Sequence, residues 1–235
     1  MKLEEYLRGG FAQMGLTLDE DMLRRYRIYC DYLAEINAVM NLTAIEGEEN
    51  TAKLHFLDCA ALLTMENMGG KRLIDVGSGA GFPGLALKIA CPELKLTLLD
   101  SLDKRVNFLS ETCKRLGFDD VKCVHARAEE FAAAHRESFD IATSRAVASL
   151  PLLSELCLPL VKPGGWFLAM KSVDSDQELQ SAARAIATLG GEVVKSENYQ
   201  IPGIGVSHRV IFIKKIKETP KKYPRPFAKI KKNPL

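Results

Sequence analysis

The chain has 235 residues, of which 47% are hydrophobic and 26% charged, enough apolar material for one substantial core. No apolar run approaches the length that crosses a bilayer, and the first residues are too charged for a signal peptide, so we expect a soluble cytoplasmic protein. The formal net charge of +2 is unevenly distributed, because residues 214–235 sum to +8 and residues 1–213 to −6. None of the six cysteines forms a C-x-x-C pair, and we expect no metal site.

The first 70 residues are predicted to form a helical lead-in. Apolar residues recur every three or four positions between residues 18 and 40, which indicates an amphipathic helix. Thr17 and Glu20 have the spacing of a capping box at its start. A second helix is predicted over residues 51–65, where Leu54, Leu57 and Leu62 share one face.

Residues 71–216 alternate short apolar runs with helical periods. This pattern predicts an α/β domain with a seven-stranded, mostly parallel, Rossmann-like sheet and crossover helices. The clearest helix covers residues 103–116, and Gly117 suits the left-handed position that follows a helix. Later crossover helices are predicted over residues 151–161 and 175–189. The predicted strands are 72–76, 95–100, 121–125, 139–144, 165–171, 192–199 and 209–216.

Residues 217–235 are predicted to form a separate basic tail. It contains four of the ten prolines among its lysines, so we expect it to be extended and mobile until it meets a partner. Its charge has two interpretations: a solvated terminus, or a segment that contacts a polyanion such as nucleic acid.

A glycine-rich loop with the sequence DVGSGAGFPG, from Asp75 to Gly84, joins the first strand to a helix. Its glycines allow backbone amides to approach a ligand, although such turns also occur without one. The spacing is not that of a dinucleotide fingerprint, because Phe82 stands where the third glycine is required.

Acidic residues near this loop indicate what it could bind. Asp75 precedes the loop, Asp100 ends the second strand, and Glu129 follows the third. Three carboxylates would repel a pyrophosphate but tolerate a cationic sulfonium joined to a ribose. Asp100, about 20 residues beyond the loop, could accept hydrogen bonds from both ribose hydroxyls. The alternative is that Asp100 only caps a strand end or a helix.

The loop and the acidic end of the second strand resemble the class I S-adenosylmethionine-dependent methyltransferases. A longer set of motifs, from about Asn41 to Lys215, is similar to the ribosomal RNA small subunit methyltransferase G family, also called glucose-inhibited division protein B. The motifs are Asn41-Leu42-Thr43, His55-Phe56-Leu57-Asp58, the loop through Phe82-Pro83-Gly84, Lys104-Arg105-Val106-Asn107-Phe108-Leu109, Ser144-Arg145-Ala146-Val147-Ala148 and Tyr223-Pro224-Arg225.

The resemblance implies S-adenosylmethionine as cofactor and a set of residues that hold it. Ala128 and Glu129 would lie beside the adenine, and Arg145 would orient substrate or cofactor, unless it only pairs with a surface carboxylate. Two departures from the family affect local contacts: Met170-Lys171-Ser172 replaces an expected Leu-Lys-Gly, and Cys59 replaces a serine. The expected cofactor-binding residues are Asp75, Gly77, Gly79, Phe82, Asp100, Ala128, Glu129 and Arg145, with Arg145 also the candidate catalytic residue.

The implied reaction is methylation of guanine N7 in 16S rRNA, at nucleotide 527 by the resemblance. The end of the fourth strand lacks the Asn-Pro-Pro-Tyr or Asp-Pro-Pro-Tyr segment by which enzymes acting on exocyclic amines resemble one another. Cytosine C5 enzymes need a cysteine nucleophile, typically after a proline, and none of the six cysteines follows a proline. Guanine N7 is compatible with both absences because its lone pair needs no general base. His55 and Asp58 either lie near the site or form a structural hydrogen bond.

The expected partner is 16S rRNA in the small subunit or an assembly intermediate, bound by a monomer. The basic tail, with Lys53, Lys104 and Arg105, is expected to supply phosphate contacts. Two other functions remain open at this point: a nicotinamide-dependent oxidoreductase, and a noncatalytic RNA-binding or assembly factor.

Overall fold

One seven-stranded sheet organises the chain, with the strand order β3-β2-β1-β4-β5-β7-β6. The computed structural model describes residues 2–145 and 148–235, so Ala146 and Val147 of the 144–148 motif lie outside the described residues. The first five strands pair with one another in parallel, and β7 is inserted antiparallel between β5 and β6. The strands are β1 (Arg72–Val76), β2 (Lys95–Asp100), β3 (Lys122–His125), β4 (Phe139–Arg145), β5 (Val161–Ser172), β6 (Gly191–Gln200) and β7 (Ser207–Lys215).

The seven strands and the mostly parallel sheet confirm the predicted α/β fold. Helix α7 (Asp103–Leu116) has the predicted bounds, and Gly117 after it has a φ of 70°, in the left-handed region. The helices are α1 (Lys2–Gln13), α2 (Glu20–Met40), α3 (Glu48–Asn50), α4 (Asp58–Ala60), α5 (Leu62–Met65), α6 (Gly84–Ala90), α7 (Asp103–Leu116), α8 (Ala128–Ala134), α9 (Leu150–Cys157), α10 (Asp176–Thr188) and α11 (Phe227–Lys232).

The N-terminal helices pack against the sheet's own helices and share their core. Tyr26 in α2 donates a hydrogen bond from its hydroxyl to the carbonyl oxygen of Ala86 in α6, at 2.9 Å. Tyr29, also in α2, stacks on Phe82 in the glycine loop with ring centroids 5.3 Å apart. The lead-in therefore forms part of the wall behind the glycine loop.

Two details of the lead-in differ from the prediction. Asp19, not Thr17, caps α2, because its Oδ1 accepts a hydrogen bond from the amide of Met22 at 2.8 Å. The single helix predicted over residues 51–65 is broken into a π-helix (Thr51–Leu57), α4 and α5, and the short α3 precedes it. Periodicity does not predict the wider turn of the π-helix: Leu57 and Leu62 of the predicted face are buried, but Leu54 is only half-buried, and the polar Lys53 and His55 are buried too.

The C-terminal tail is packed on the body, so the expectation that it is extended and mobile is wrong. Tyr223 and Ile230 are buried, and the guanidinium of Arg225 forms an ion pair at 2.6 Å with the fully buried Glu155 in α9. The prolines and lysines are typical of a mobile segment, but the apolar Tyr223 and Ile230 between them bury in the same core cluster as residues of α9. Within residues 2–145 and 148–235, no helix combines the length and apolarity that crossing a membrane requires.

Candidate active site

A cavity of about 740 Å³ opens at the carboxyl ends of β1, β2, β4 and β5. The chain runs outward from β1 in both directions, through β2 on one side and β4 on the other, and ligands bind at such a switch point in open α/β sheets. Of the expected site residues, Gly77, Gly79, Phe82, Asp100 and Arg145 line the cavity. Asp75, Ala128 and Glu129 are not among the lining residues.

The glycine loop forms the floor of the cavity. Gly77 and Gly79 have φ values of 74° and 57°, which side chains rarely adopt. The amide of Gly77 donates to the carbonyl oxygen of Leu99 at 2.8 Å, which ties the loop to the end of β2. Gly81 is needed for packing, because a Cβ there would overlap the hydroxyl of Tyr29.

Asp100 lies where β2 ends, with its carboxylate almost fully buried against the loop. Its Oδ2 accepts a hydrogen bond from the amide of Gly79 at 2.9 Å, and its Oδ1 accepts from the amide of Leu102 at 3.0 Å. Arg105 adds a guanidinium 3.6 Å from Oδ2. Each oxygen therefore has one backbone bond, and the carboxylate retains acceptor capacity toward the cavity that it lines. Its capping bonds and a ligand-binding role are compatible.

Asp75 lies behind the loop and is completely buried. Its Oδ2 accepts from the amide of Gly84 at 3.0 Å, while Oδ1 has no hydrogen-bond partner among the described residues. Burial raises the pKa of this carboxyl to about 7. Thr143, its register partner on β4, also has an unpartnered hydroxyl oxygen. Asp75 is therefore partly protonated near neutral pH and does not line the cavity, so it is not one of three charged carboxylates facing the ligand, as the sequence predicts.

Ala128 and Glu129 are the first two residues of α8, directly after β3 and its connecting turn. β3 is the neighbour of β2 and pairs His125 with Asp100. Ala128 and Glu129 therefore lie next to the β2 side of the site, but they do not line the cavity. Lys53, expected to contact phosphate, is buried, and its ammonium bonds Glu49 at 2.6 Å.

Arg145, at the end of β4, is fixed by the helical lead-in. One guanidinium nitrogen donates to Oδ2 of Asp58 at 2.9 Å and to the carbonyl oxygen of Leu54 at 3.0 Å, and the other donates to Nδ1 of His55 at 2.6 Å. Its guanidinium carbon lies 5.0 Å from the centre of the Phe82 ring. The carboxylate partner is completely buried, so the alternative of a simple surface pair is wrong.

The π-helix explains how these three partners face one arginine. Its wider turn includes a hydrogen bond from the amide of Asp58 to the carbonyl oxygen of Lys53, five residues earlier. The carbonyl of Leu54 accepts from Arg145, and the side chains of His55 and Asp58 reach the same guanidinium. Such π-bulges are frequent at functional sites.

His55 is held as a neutral imidazole. A guanidinium can only donate, so Nδ1 must accept from Arg145, and Nε2–H donates to Oγ1 of Thr43 at 3.0 Å. Burial, and then the positive charge of Arg145, place the pKa of His55 well below its ordinary value. The ring stacks on Phe82 with centroids 4.1 Å apart. His55 therefore orients Arg145 and Phe82 rather than acting as a proton carrier.

Asp58 is the centre of the cluster and joins residues that the sequence did not predict. Besides Arg145, it accepts from the hydroxyl of Tyr199 in β6 at 2.6 Å and from Nδ1 of His208 in β7 at 2.7 Å. These residues lie 141 and 150 positions away, without any motif to mark them. Tyr199 and His208 are register partners on two antiparallel strands, and only a prediction of this pairing could place them together.

The two departures from the expected family sequence are both accommodated. Cys59 is completely buried in α4. Lys171, which lines the cavity, donates to the carbonyl oxygen of Ala148 at 2.6 Å and pairs with Glu178 at 2.7 Å. Among the described residues, no group of three or more potential ligands could hold a metal ion.

A family model described as rRNA small subunit methyltransferase G matches residues 22–203 of the chain. The chain belongs to this family. Proteins named ribosomal RNA small subunit methyltransferase G are similar over the whole length. The protein from Acetivibrio thermocellus is 45% identical, covering 100% of this chain and 98% of its own, and that from Ligilactobacillus salivarius is 44% identical, covering 98% of each. The predicted family is confirmed.

Solved structures of other methyltransferases share the fold. An O-methyltransferase from Bacillus cereus, in complex with SAH, aligns with a TM-score of 0.60 at 15% identity and covers 91% of this chain and 100% of its own. TrmN from Thermus thermophilus aligns with a TM-score of 0.52 at 19% identity and covers 70% of this chain and 53% of its own. At these identities the similarity shows the methyltransferase fold alone.

Proposed function

We propose that this chain transfers a methyl group from S-adenosylmethionine to N7 of a guanine in 16S rRNA. The family and the names of its relatives support rRNA of the small subunit as substrate. The observation that carries the proposal is the cavity at the switch point. It is lined by the glycine loop, by the carboxylate of Asp100 at the end of β2 and by Arg145.

The residues of the cavity suit this cofactor. Gly77 and Gly79 bring backbone close to a ligand, and Asp100 keeps acceptor capacity for the two ribose hydroxyls. Phe82 offers an apolar ring beside the loop and occupies the place where a dinucleotide-binding enzyme needs a glycine. We assign the adenine side of the site to the region near Ala128 and Glu129, at the start of α8.

The chemistry is mainly a problem of alignment. The cofactor supplies a methyl group on a positively charged sulfur, and the in-plane lone pair of guanine N7 attacks without losing a proton. The chain's task is to hold the two reactants in line, and positioning of this kind can lower a barrier by about 7–11 kcal/mol. Arg145 is the best-placed residue for it, because three contacts from the π-helix region hold its guanidinium still.

RNA contacts would come from two groups of basic residues, one near the cavity and one in the tail. Lys104 is exposed at the start of α7, and Arg105 lines the cavity. The docked tail adds α11, whose Lys229, Lys231 and Lys232 are exposed. Phe227, at the start of α11, lies under the guanidinium of Arg127 at 5.4 Å, which places the basic helix beside the start of α8. Affinity for RNA should therefore weaken with salt.

The test is methyl transfer from labelled cofactor to small subunits that lack the modification, followed by mapping of the methylated atom. A label on guanine N7 supports the proposal, and a label on another atom contradicts the mechanism. Arg145→Lys should reduce the rate at least tenfold, because a lysine cannot make the forked contacts. Calorimetry with S-adenosylmethionine and NAD separates the proposal from an oxidoreductase, which should bind NAD.

A further inference from the structure

His208 lines the cavity from a strand that is not adjacent to β1, the strand that leads into the glycine loop. It stands in β7, three strands from β1 in the sheet, and strands are spaced about 4.8 Å apart. That spacing places β7 about 14 Å from the strand that leads into the glycine loop. The side chain of His208 lines the same cavity as the glycine loop and Asp100.

The hydrogen bond to Asp58 determines which ring nitrogen of His208 is available to a ligand. The carboxylate is ion-paired with Arg145 and acts as an acceptor, so Nδ1 of His208 carries the hydrogen of the 2.7 Å bond. The other ring nitrogen, Nε2, has no hydrogen-bond partner within the described part of the chain. The side chain is 32% exposed and lines the cavity. Nε2 is therefore available to a ligand.

The groups around the ring favour its charged form. Asp58 in α4 raises the pKa of His208 through the hydrogen bond, and partial burial and the positive charge of Arg145 in β4 oppose this more weakly. Tyr199, its register partner on β6, contacts the same carboxylate, and its hydroxyl is neutral. Lys171, also at the cavity wall, has its ammonium bonded to Glu178 and to a backbone oxygen.

We propose that His208 is a substrate-binding residue, whose imidazolium donates a hydrogen bond from Nε2 to an oxygen of the target nucleotide. The acceptor is either O6 of the guanine, which neighbours N7, or a phosphate oxygen beside it. This inference rests on the proposed function, because it assigns a contact to the substrate of that reaction. Asp58 is then a positioning residue that orients His208 and Arg145 from one carboxylate.

The decisive measurement is the pH dependence of KM for the RNA at saturating cofactor, between pH 5.5 and 8.5. Loss of the proton removes a charged donor, so KM should rise with pH through the pKa of His208 in the wild type. His208→Asn can still donate to Asp58, and it should raise KM about tenfold at pH 6 and flatten the profile. The Kd for the cofactor should stay within twofold. His208→Arg, permanently charged, should give a flat profile with a low KM.

His135→Asn is the matched control, because His135 is exposed at the end of α8, away from the cavity lining. It should reproduce the wild-type profile. An unchanged KM and pH profile in His208→Asn would overturn the inference, as would equal losses of RNA and cofactor binding. Thermal melting of each variant shows whether it is folded, and a histidine titration by NMR reports the pKa of His208 directly.

Two RNA variants distinguish the possible acceptors. A substrate with 2-aminopurine at the target keeps N7 but lacks O6. If O6 is the acceptor, the wild type and His208→Asn should have the same KM for this substrate. If a phosphate oxygen is the acceptor, the two should instead have the same KM for an RNA with a methylphosphonate beside the target. If the wild type methylates no RNA, the proposed function fails. The inference about His208 is then tested by the pH dependence of RNA binding. An RNA affinity that is the same in the wild type and in His208→Asn overturns it.

Discussion

Arg145 and Asp58 form an ion pair at 2.9 Å across 87 positions of sequence, between the last residue of a central strand and a completely buried turn of the helical lead-in. The guanidinium side chain retains only 16% of its exposure. A buried pair of this kind costs more when one partner is removed than it contributes when intact, because the remaining charge is left without compensation. The lead-in is thereby coupled to the site.

Asp58→Asn should therefore affect both stability and activity. It leaves the Arg145 cation buried without its counterion, and we expect a loss of about 3–5 kcal/mol in the free energy of unfolding, measured by urea titration. Methyl transfer should fall further than the folded fraction explains. Asp21→Asn, which breaks only a surface pair with Arg24 and Arg25, should cost less than about 1 kcal/mol. Similar losses in both variants would contradict the prediction.

Asp75 predicts an unusual pH dependence of stability. Burial raises the pKa of its carboxyl from 3.8 to about 7 in the folded protein. The folded state then holds a proton that the unfolded chain has released, so the free energy of unfolding falls as pH rises from about 4 to about 7. The full effect is at most about 4 kcal/mol. Asp75→Asn should lose less stability between pH 5 and pH 8 than the wild type, in urea titrations at each pH.

The exposed Asp174 provides the control for this experiment. Asp174→Asn should show the same pH dependence as the wild type, because it leaves the buried Asp75 in place. An Asp75→Asn variant whose stability changes with pH as much as that of the wild type would show that the buried carboxyl is ionised throughout.

Asp100 should control cofactor affinity. Asp100→Asn keeps the size of the side chain but removes the charge and one acceptor, and loss of hydrogen bonds to a charged group costs about 1.5–3 kcal/mol. We expect S-adenosylmethionine to bind about 10–100-fold more weakly by calorimetry. Asp103→Asn, three residues away with a side chain 68% exposed, should leave the affinity within twofold. The prediction is wrong if both variants bind equally well.

The fold could be predicted from the sequence because its signals are local. The strand periods and the helix before Gly117 depend on neighbouring residues, and all seven strands were found. The cluster around Asp58 depends instead on packing between distant segments, so Tyr199 and His208 were missed. The position of Asp75 before the loop predicts a contact with the ligand, but its side chain is completely buried and does not line the cavity.

The tail shows how composition can mislead. Its charge and prolines are typical of a disordered segment, yet one buried ion pair and a few apolar residues hold it on the body. Truncation after Ile213 would therefore remove the end of β7 and the buried Lys215, and it would test folding more than RNA binding. A test of RNA binding by the tail must therefore remove its positive charge and leave the segment in place.

Replacing Lys229, Lys231 and Lys232 in α11 with glutamine satisfies this condition, because all three side chains are exposed. Each phosphate of single-stranded RNA that a lysine no longer neutralises should reduce the slope of log affinity against log salt by about 0.7, so the slope should fall by up to about 2. RNA affinity measured between 50 and 200 mM salt checks this, and calorimetry should show unchanged cofactor affinity.

The matched control removes the same charge from the amino ends of three strands of the sheet. Lys95, Lys122 and Lys162 are exposed near the amino ends of β2, β3 and β5, away from the cavity. Replacing these three with glutamine changes the net charge identically, so any general electrostatic attraction would weaken equally in both triple variants. If the α11 surface binds the RNA backbone, the salt slope should fall only for the α11 variant. Equal slopes in the two variants would mean that α11 attracts RNA through overall charge, without direct phosphate contacts.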